Sequence, residues 1–219
     1  YGGVLTLSSA PEQELLVAMK GRFVEVLCAP EFSSDFISMS ESRKKLKILR
    51  IDKDAVLRSA NTKRSACGGI LEQKKDEWWK DSDELTTFKN VSTREATKDE
   101  LFACKLSWAV TAGTKSNSIV IGSKDRILGI GGGCVSRIDA TQMAVSKAKA
   151  NIIASGDKGP YVLCSDGFLP FADSVQSAKE LGVSAIMEPG GSMRDEEVIE
   201  ACNHSKIALI FTGKRHFRH

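Results

Sequence analysis

From Thr97 onward, short apolar runs and stretches of helical period follow one another in turn, and this alternation constrains the fold more than any other feature of the sequence. Thr97-Lys98-Asp99-Glu100 has the spacing of a capping box, in which a Thr hydroxyl and a Glu carboxylate satisfy opposite orphan amides. It opens an apolar helix to about residue 111. The pattern then predicts strands over 118–122 and 127–130, a helix over 141–154 and a strand over 161–164. A helix over 174–181, a strand over 185–187, a helix over 195–202 and a strand over 207–211 complete it. Helices then cover the faces of a largely parallel sheet, and the expected class is α/β.

The first quarter repeats the scheme. Ser8 and Ser9 can cap a helix opening at Pro11, and 23–27 reads as a strand ended by Pro30. Ser33 or Ser34 caps a second helix through Ser42, and 46–51 alternates with period two. Arg43, Lys44, Lys45, Lys47 and Arg50 lie among apolar positions, as on a solvated face rather than a phosphate patch. Residues 52–96 read as a linker with short strands, where one ring of the Trp78-Trp79 pair packs inward and the other covers a seam.

Composition excludes several classes. At 219 residues and 42% apolar the chain can bury a core. Its 31 basic and 28 acidic residues leave a net charge of +3, too small and too mixed for a nucleic-acid footprint. No apolar run approaches the roughly 18 residues of a membrane span, since Lys105 interrupts the richest stretch. The six cysteines lie 30 or more residues apart, with no Cys-x-x-Cys pair, and read as reduced thiols without a zinc or redox motif. There is no leader pattern, and a start at Tyr1-Gly2-Gly3 without an initiator Met predicts residues upstream.

In open α/β sheets ligands gather beyond the carboxyl ends of strands, so the strand exits hold the candidate chemistry. Lys115-Ser116-Asn117 alone is an ordinary turn. Gly129-Ile130-Gly131-Gly132-Gly133-Cys134 would let backbone amides approach an anion, with Arg137 aimed at it, yet the spacing is not a dinucleotide fingerprint. Residues 164–173 gather two aromatics, a proline and two acids, suited to an aromatic heterocycle with polar edges or to a simple turn. In Glu188-Pro189-Gly190-Gly191-Ser192-Met193-Arg194-Asp195, Ser192 and Asp195 are placed as helix caps, and the loop reads as a shaped wall. The basic end, 212–219, leaves an apolar strand at the same edge and favours a phosphate.

Taken in order, five motifs resemble the transformylase part of the AICAR transformylase/IMP cyclohydrolase family of purine biosynthesis. They are Lys115-Ser116-Asn117-Ser118-Ile119-Val120; Gly129-Ile130-Gly131 with Ser136-Arg137-Ile138; Ser165-Asp166 with Phe168 and Pro170-Phe171; Pro189-Gly190-Gly191-Ser192 with Arg194-Asp195; and Arg215-His216-Phe217-Arg218-His219. The likeness extends to Tyr1-Gly2-Gly3 and Phe23-Val24-Glu25-Val26. It implies three-layer cytidine-deaminase-like α/β units with a mostly parallel mixed sheet. Residues 1–58 would be the C-terminal portion of the first transformylase subdomain and 59–219 the second. The implied protein is a cytosolic homodimer with shared active sites, which moves a formyl group from 10-formyltetrahydrofolate to the 5-amino group of AICAR. The unseen start leaves an organellar leader open. Neither nucleic acid nor membrane is an implied partner.

Carried over by position, Asn117, Arg137, Phe168 and Arg215 would contact the AICAR nucleotide, with Arg215 neutralising phosphate, and Gly3 would lie near it. Ile138, Asp173, Ser192 and Met193 would contact the folate. No metal is implied, because the His-x-Glu and Pro-Cys-x-x-Cys ligand set of the zinc deaminases is missing. The family's catalytic Lys-His pair, in a Lys-His-x-x-Pro motif upstream of the Tyr-Gly-Gly segment, has no counterpart here, and neither has the cyclohydrolase domain. Transfer to a weakly nucleophilic aromatic amine needs a proton acceptor, and neither His216 nor His219 is assigned that role. Cys134 stands where the family usually has Gln, and Thr111-Ala112-Gly113 where a Lys-His-Val run is common. The expectation is a C-terminal portion of a formyltransferase, inactive alone. The alternative is a non-catalytic nucleotide- or folate-binding remnant, or a dimerisation module.

Overall fold

Residues 1–50 join each strand to the next through a helix, and such crossovers leave consecutive strands parallel. Strands β1 (Gly3–Thr6), β2 (Val24–Ala29) and β3 (Lys47–Arg50) form a parallel sheet in that order, with α1 (Gln13–Ala18) and α2 (Ser34–Ser40) between them. Ser33 caps α2, its hydroxyl accepting from the Phe36 N–H at 3.1 Å, a contact worth about 1 kcal/mol. Leu5, Leu27 and Ile48 share one row of the register and pack with Leu16 of α1 and Phe36 of α2. Val4 and Leu49, in the adjacent rows, lie on the other face and are exposed. The computed structural model describes residues 2–52, 54–55, 61–76 and 88–218, so Trp78 and Trp79 lie outside the described residues. Two compact units divide the chain, 1–75 and 76–219. Within the linker, β4 (Asn61–Ala66) and β5 (Gly69–Lys74) pair as an antiparallel hairpin with Ile70 and Leu71 exposed.

The second unit is a six-stranded sheet in the order β6-β11-β10-β9-β7-β8. Its strands are β6 (Lys89–Asn90), β7 (Ile119–Gly122), β8 (Ile127–Gly131), β9 (Tyr161–Ser165), β10 (Val183–Glu188) and β11 (Ala208–Phe211). Its helices are α3 (Lys98–Gly113), α4 (Arg137–Ser155), α5 (Asp173–Leu181) and α6 (Asp195–Ser205). The class is α/β as expected, and the sheet is mixed. Strands β9, β10 and β11 are parallel, while β7 runs antiparallel to both β8 and β9, and β6 antiparallel to β11. Residues 123–126 between β7 and β8 are too few for a parallel crossover, so a hairpin is the only solution.

Alternation along the parallel strands feeds two cores. Val162, Cys164, Ala185, Met187, Ala208 and Ile210 face Ala103, Cys104 and Trp108 of α3. Leu163, Ile186 and Leu209 face α4, α5 and α6 through Ala140, Ala144, Val175 and Val198. Each fully buried large apolar side chain contributes about 1.5–3 kcal/mol. The capping box is present at Thr97 and Glu100. Burial works against ionisation of the Glu100 carboxyl, but hydrogen bonds from Arg94, Ser184 and Thr97 outweigh it and hold the group below its usual range.

The glycines at 129 and 131 serve a purpose different from the expected anion cradle. Both lie within β8, where an added Cβ would strike the backbone carbonyl oxygens of Ala144 and Ala140, so α4 lies directly on the strand. The helix also closes that edge of the sheet: Lys147 Nζ donates to the Ile130 carbonyl at 2.8 Å and Asn151 Nδ2 to the Leu128 carbonyl at 2.7 Å. Replacing Gly131 by Ala is expected to destabilise the chain by about 1–3 kcal/mol or more. Gly113→Ala, where a Cβ meets nothing within 4 Å, is expected to be neutral or stabilising by up to about 1 kcal/mol in urea unfolding.

Candidate functional site

The sheet direction brings five segments to one rim. The ends of β9, β10 and β11 point the same way, and the antiparallel β7 and β8 place the start of the first and the end of the second beside them. At the centre is Asp166, the residue after β9, fully buried. Its Oδ2 accepts from Ser116 Oγ at 2.5 Å, and its Oδ1 from the Ser118 N–H at 3.1 Å and from Arg137 Nη1. Its backbone N–H donates to Ser118 O at 3.2 Å, and its carbonyl accepts from the His216 N–H at 3.0 Å. A buried carboxylate is tolerated only with this degree of pairing.

Four residues expected at the nucleotide are brought together around this hub. Asn117 donates through Nδ2 to the carbonyls of Cys134 and Val135 at 3.0 and 3.2 Å, which ties the start of β7 to the loop after β8. Gly133 N–H to Lys115 O, at 2.6 Å, ties the same two segments, so this loop's amides serve the fold. Arg137, the first residue of α4, also donates through Nη1 to Ser165 Oγ at 3.1 Å. The described bonds all use Nη1, so Nε and Nη2 keep donors for a ligand. Phe168 lies under the guanidinium of Arg215, 5.3 Å from ring centre to Cζ. Arg215 is exposed and pairs with no carboxylate among the described residues. Gly3 belongs to the first unit, where its N–H donates to Phe23 O at 2.8 Å.

The residues expected at the folate lie on the helix side of this rim. Ile138 is in the first turn of α4 and Asp173 begins α5, and the two helix starts are joined by Thr141 Oγ1 and Ser174 Oγ at 3.1 Å. Ser192 and Met193 follow β10, and Met193 is fully exposed. Arg194 stacks on Phe171 at 4.8 Å, which joins the loop of Ser192 and Met193 to the one preceding Asp173. Ser192 and Asp195 do not cap α6 in the expected way. The N-cap is Arg194, and Asp195 reaches back to accept from the N–H groups of Gly191 and Ser192 at 2.7 and 2.8 Å, closing a turn in which Gly190 and Gly191 hold φ of 71° and 87°. The terminal segment is tied to the start of β7 through Arg218. Arg218 N–H donates to Ser116 Oγ at 3.0 Å, and Ser116 N–H to Arg218 O at 2.9 Å.

Glu188 carries no signal in the local sequence pattern beyond its place at a strand end. It is fully buried, Oε2 accepts from the Leu169 N–H, and Oε1 has no partner among the described residues. Burial, helped by the charge of Asp195 and opposed by the Leu169 N–H and Arg137, pushes its carboxyl up to about 8. Burial likewise pushes the Cys202 thiol, near Glu188, up to about 12. The described residues include no cluster of three acidic, His or Cys side chains placed to hold a metal, and no helix long and apolar enough to cross a membrane.

The comparisons with known proteins follow this geometry. The family described as AICARFT/IMPCHase bienzyme matches residues 1–147. A bifunctional purine biosynthesis protein PurH of Prochlorococcus marinus (strain MIT 9515) is 36% identical over 220 residues, covering all of this chain and 41% of the relative. Proteins of the same name from Caldicellulosiruptor saccharolyticus and Persephonella marina are each 37% identical, again over all of this chain and 41% of their own length. The chain therefore spans about 41% of the length of these curated relatives.

Two outcomes test the site's electrostatics. Asp166→Ala, which strands Arg137 in a buried setting, is expected to cost about 3–5 kcal/mol in urea unfolding. The raised carboxyl of Glu188 stays protonated in the fold up to about pH 8, whereas in the unfolded chain it ionises from about 4.5. Its contribution to stability is therefore present below pH 4.5 and lost as pH rises to about 8. Relative to Glu188→Gln, the unaltered chain is expected to lose on the order of 2–5 kcal/mol between pH 4.5 and 8, read by thermal unfolding across that range. A gap that stays constant would mean that Glu188 is ionised in the fold.

Proposed function

Because the chain belongs to the AICARFT/IMPCHase bienzyme family, we propose that it is the C-terminal portion of an AICAR formyltransferase. The substrates are AICAR and 10-formyltetrahydrofolate, and the product lies on the route to purine nucleotides. The amine nitrogen bonds to the formyl carbon, the bond from that carbon to folate N10 breaks, the amine loses a proton and N10 gains one. Residues 1–58 then belong to the first transformylase subdomain and 59–219 to the second, with the compact units dividing somewhat further on, after the β4–β5 hairpin. The intact protein is a cytosolic homodimer whose subunits share active sites.

The convergence of Asn117, Arg137, Phe168 and Arg215 on one rim carries this reading. Arg215, held over a ring without a carboxylate partner among the described residues, suits a phosphate, to which a guanidinium offers a two-pronged set of donors. Arg137 is oriented by Asp166 with donors to spare for the polar edge of an imidazole carboxamide. On the helix side, Ile138 and Met193 offer apolar contact to a pterin, and Asp173 and Ser192 polar contact. No Lys-His dipeptide occurs in the 219 residues, so no residue here is assigned as the proton acceptor.

Calorimetry with AICAR and with a folate analogue, beside an assay of tetrahydrofolate production, tests this. Both ligands are expected to bind, and turnover by this chain alone to be negligible. Arg215→Ala is expected to weaken AICAR by about 1.5–3 kcal/mol, or about tenfold to a hundredfold, with the folate analogue little affected. Robust turnover would overturn the assignment of the proton acceptor elsewhere, and no AICAR binding at all would overturn the function.

A further inference from the structure

His216 is almost fully enclosed, although it lies three residues from the end of a charged terminal segment. Its ring meets Trp108 of α3 edge to face, with centroids 4.6 Å apart and planes at 82°. Its Nδ1 lies 2.6 Å from Oδ2 of Asp76. A carboxylate can only accept, so Nδ1 carries the proton and donates. Its Nε2 is buried without a partner among the described residues, and its backbone N–H is bonded to the hub residue Asp166. Asp76 is the first residue of the second unit, in a stretch the sequence marks only as a linker.

With His216 turned in against Trp108, its neighbours turn the other way. Arg215 then lies over Phe168 and near Gly191, and Phe217 lies beside Gly167. A slip of one residue would send the guanidinium of Arg215 toward Trp108 and leave no cation over Phe168. Resting on the function proposed above, we infer that His216 is a positioning residue: clamped by Asp76 and Trp108, it sets the register of the terminal segment and so holds Arg215 where the phosphate of the nucleotide binds. It touches no reacting atom. Its effect passes through Arg215, which makes it specific for the phosphorylated ligand.

The experiment compares His216→Leu, His216→Asn and Asp76→Ala with the unaltered chain, using AICAR and its dephosphorylated riboside as probes. His216→Leu fills the pocket without a donor and is expected to weaken AICAR by about tenfold while leaving the riboside within about twofold. His216→Asn keeps a donor at the position of Nδ1 and is expected to recover AICAR binding to within about threefold. Combined with Arg215→Ala, His216→Leu is expected to add little, since both remove one contact. Amide exchange supplies a readout free of ligand. The N–H groups of His216 and Arg218 are expected to exchange about tenfold faster in His216→Leu and Asp76→Ala, with those of α4 unchanged. Equal loss of AICAR and riboside, or unchanged exchange in the terminal segment, overturns the inference. If the unaltered chain gives no heat with AICAR, the formyltransferase reading falls by itself, and exchange alone then decides whether His216 sets the register.

Discussion

One buried carboxylate organises the rim of the second unit. Asp166 carries a full charge with no access to water, and the cost of dehydrating such a group runs to several kcal/mol. It is offset by donors drawn from the start of β7, from the first residue of α4 and from the terminal segment, which uses the backbone carbonyl of the same residue. The dependence is mutual. Arg137 is almost as enclosed as its partner, with a side chain 10% exposed, so neither can be withdrawn without stranding the other. Segments far apart in the sequence are thereby held to a common point on one rim.

Much of the fold was legible in the amino-acid pattern. The Thr97 to Glu100 capping box marked the start of α3, and the buried strands appeared as apolar runs within a residue at each end of those observed, except β10, where three of six residues were marked. The antiparallel turn at β7 and β8 was legible in principle, since residues 123–126 leave no room for a crossover, but a rule built on alternating strands and helices passes over it. Glycine density misled in a different way. A phosphate cradle and a helix lying flush on a strand both demand the absence of a Cβ, and only the carbonyls of Ala140 and Ala144 tell them apart.

The site was legible through whole motifs and hardly at all through single residues. Arg137, Phe168 and Arg215 stood out by their resemblance to a family, whereas Asp166 has its partners 29 to 50 residues away, beyond any local window. Glu188 and Asp76 are harder still. Each is one acid among 28, and what sets it apart is burial in one case and a distant imidazole in the other. His216 illustrates the limit most plainly, because the basic terminal run reads as a phosphate-seeking rim segment, and nothing local marks the one imidazole that Trp108 and Asp76 enclose.

The bonds from Lys147 and Asn151 to the outer carbonyls of β8 bear on how copies of this molecule meet. Another strand arriving at that border finds the acceptors it needs already engaged, so main-chain zippering is shut off on that side. At the opposite border, among the described residues, the two-residue β6 is too short to template a long ladder. Association at the β8 border must therefore proceed through side chains, surfaces that discriminate by shape and charge instead of by the common geometry of the peptide backbone.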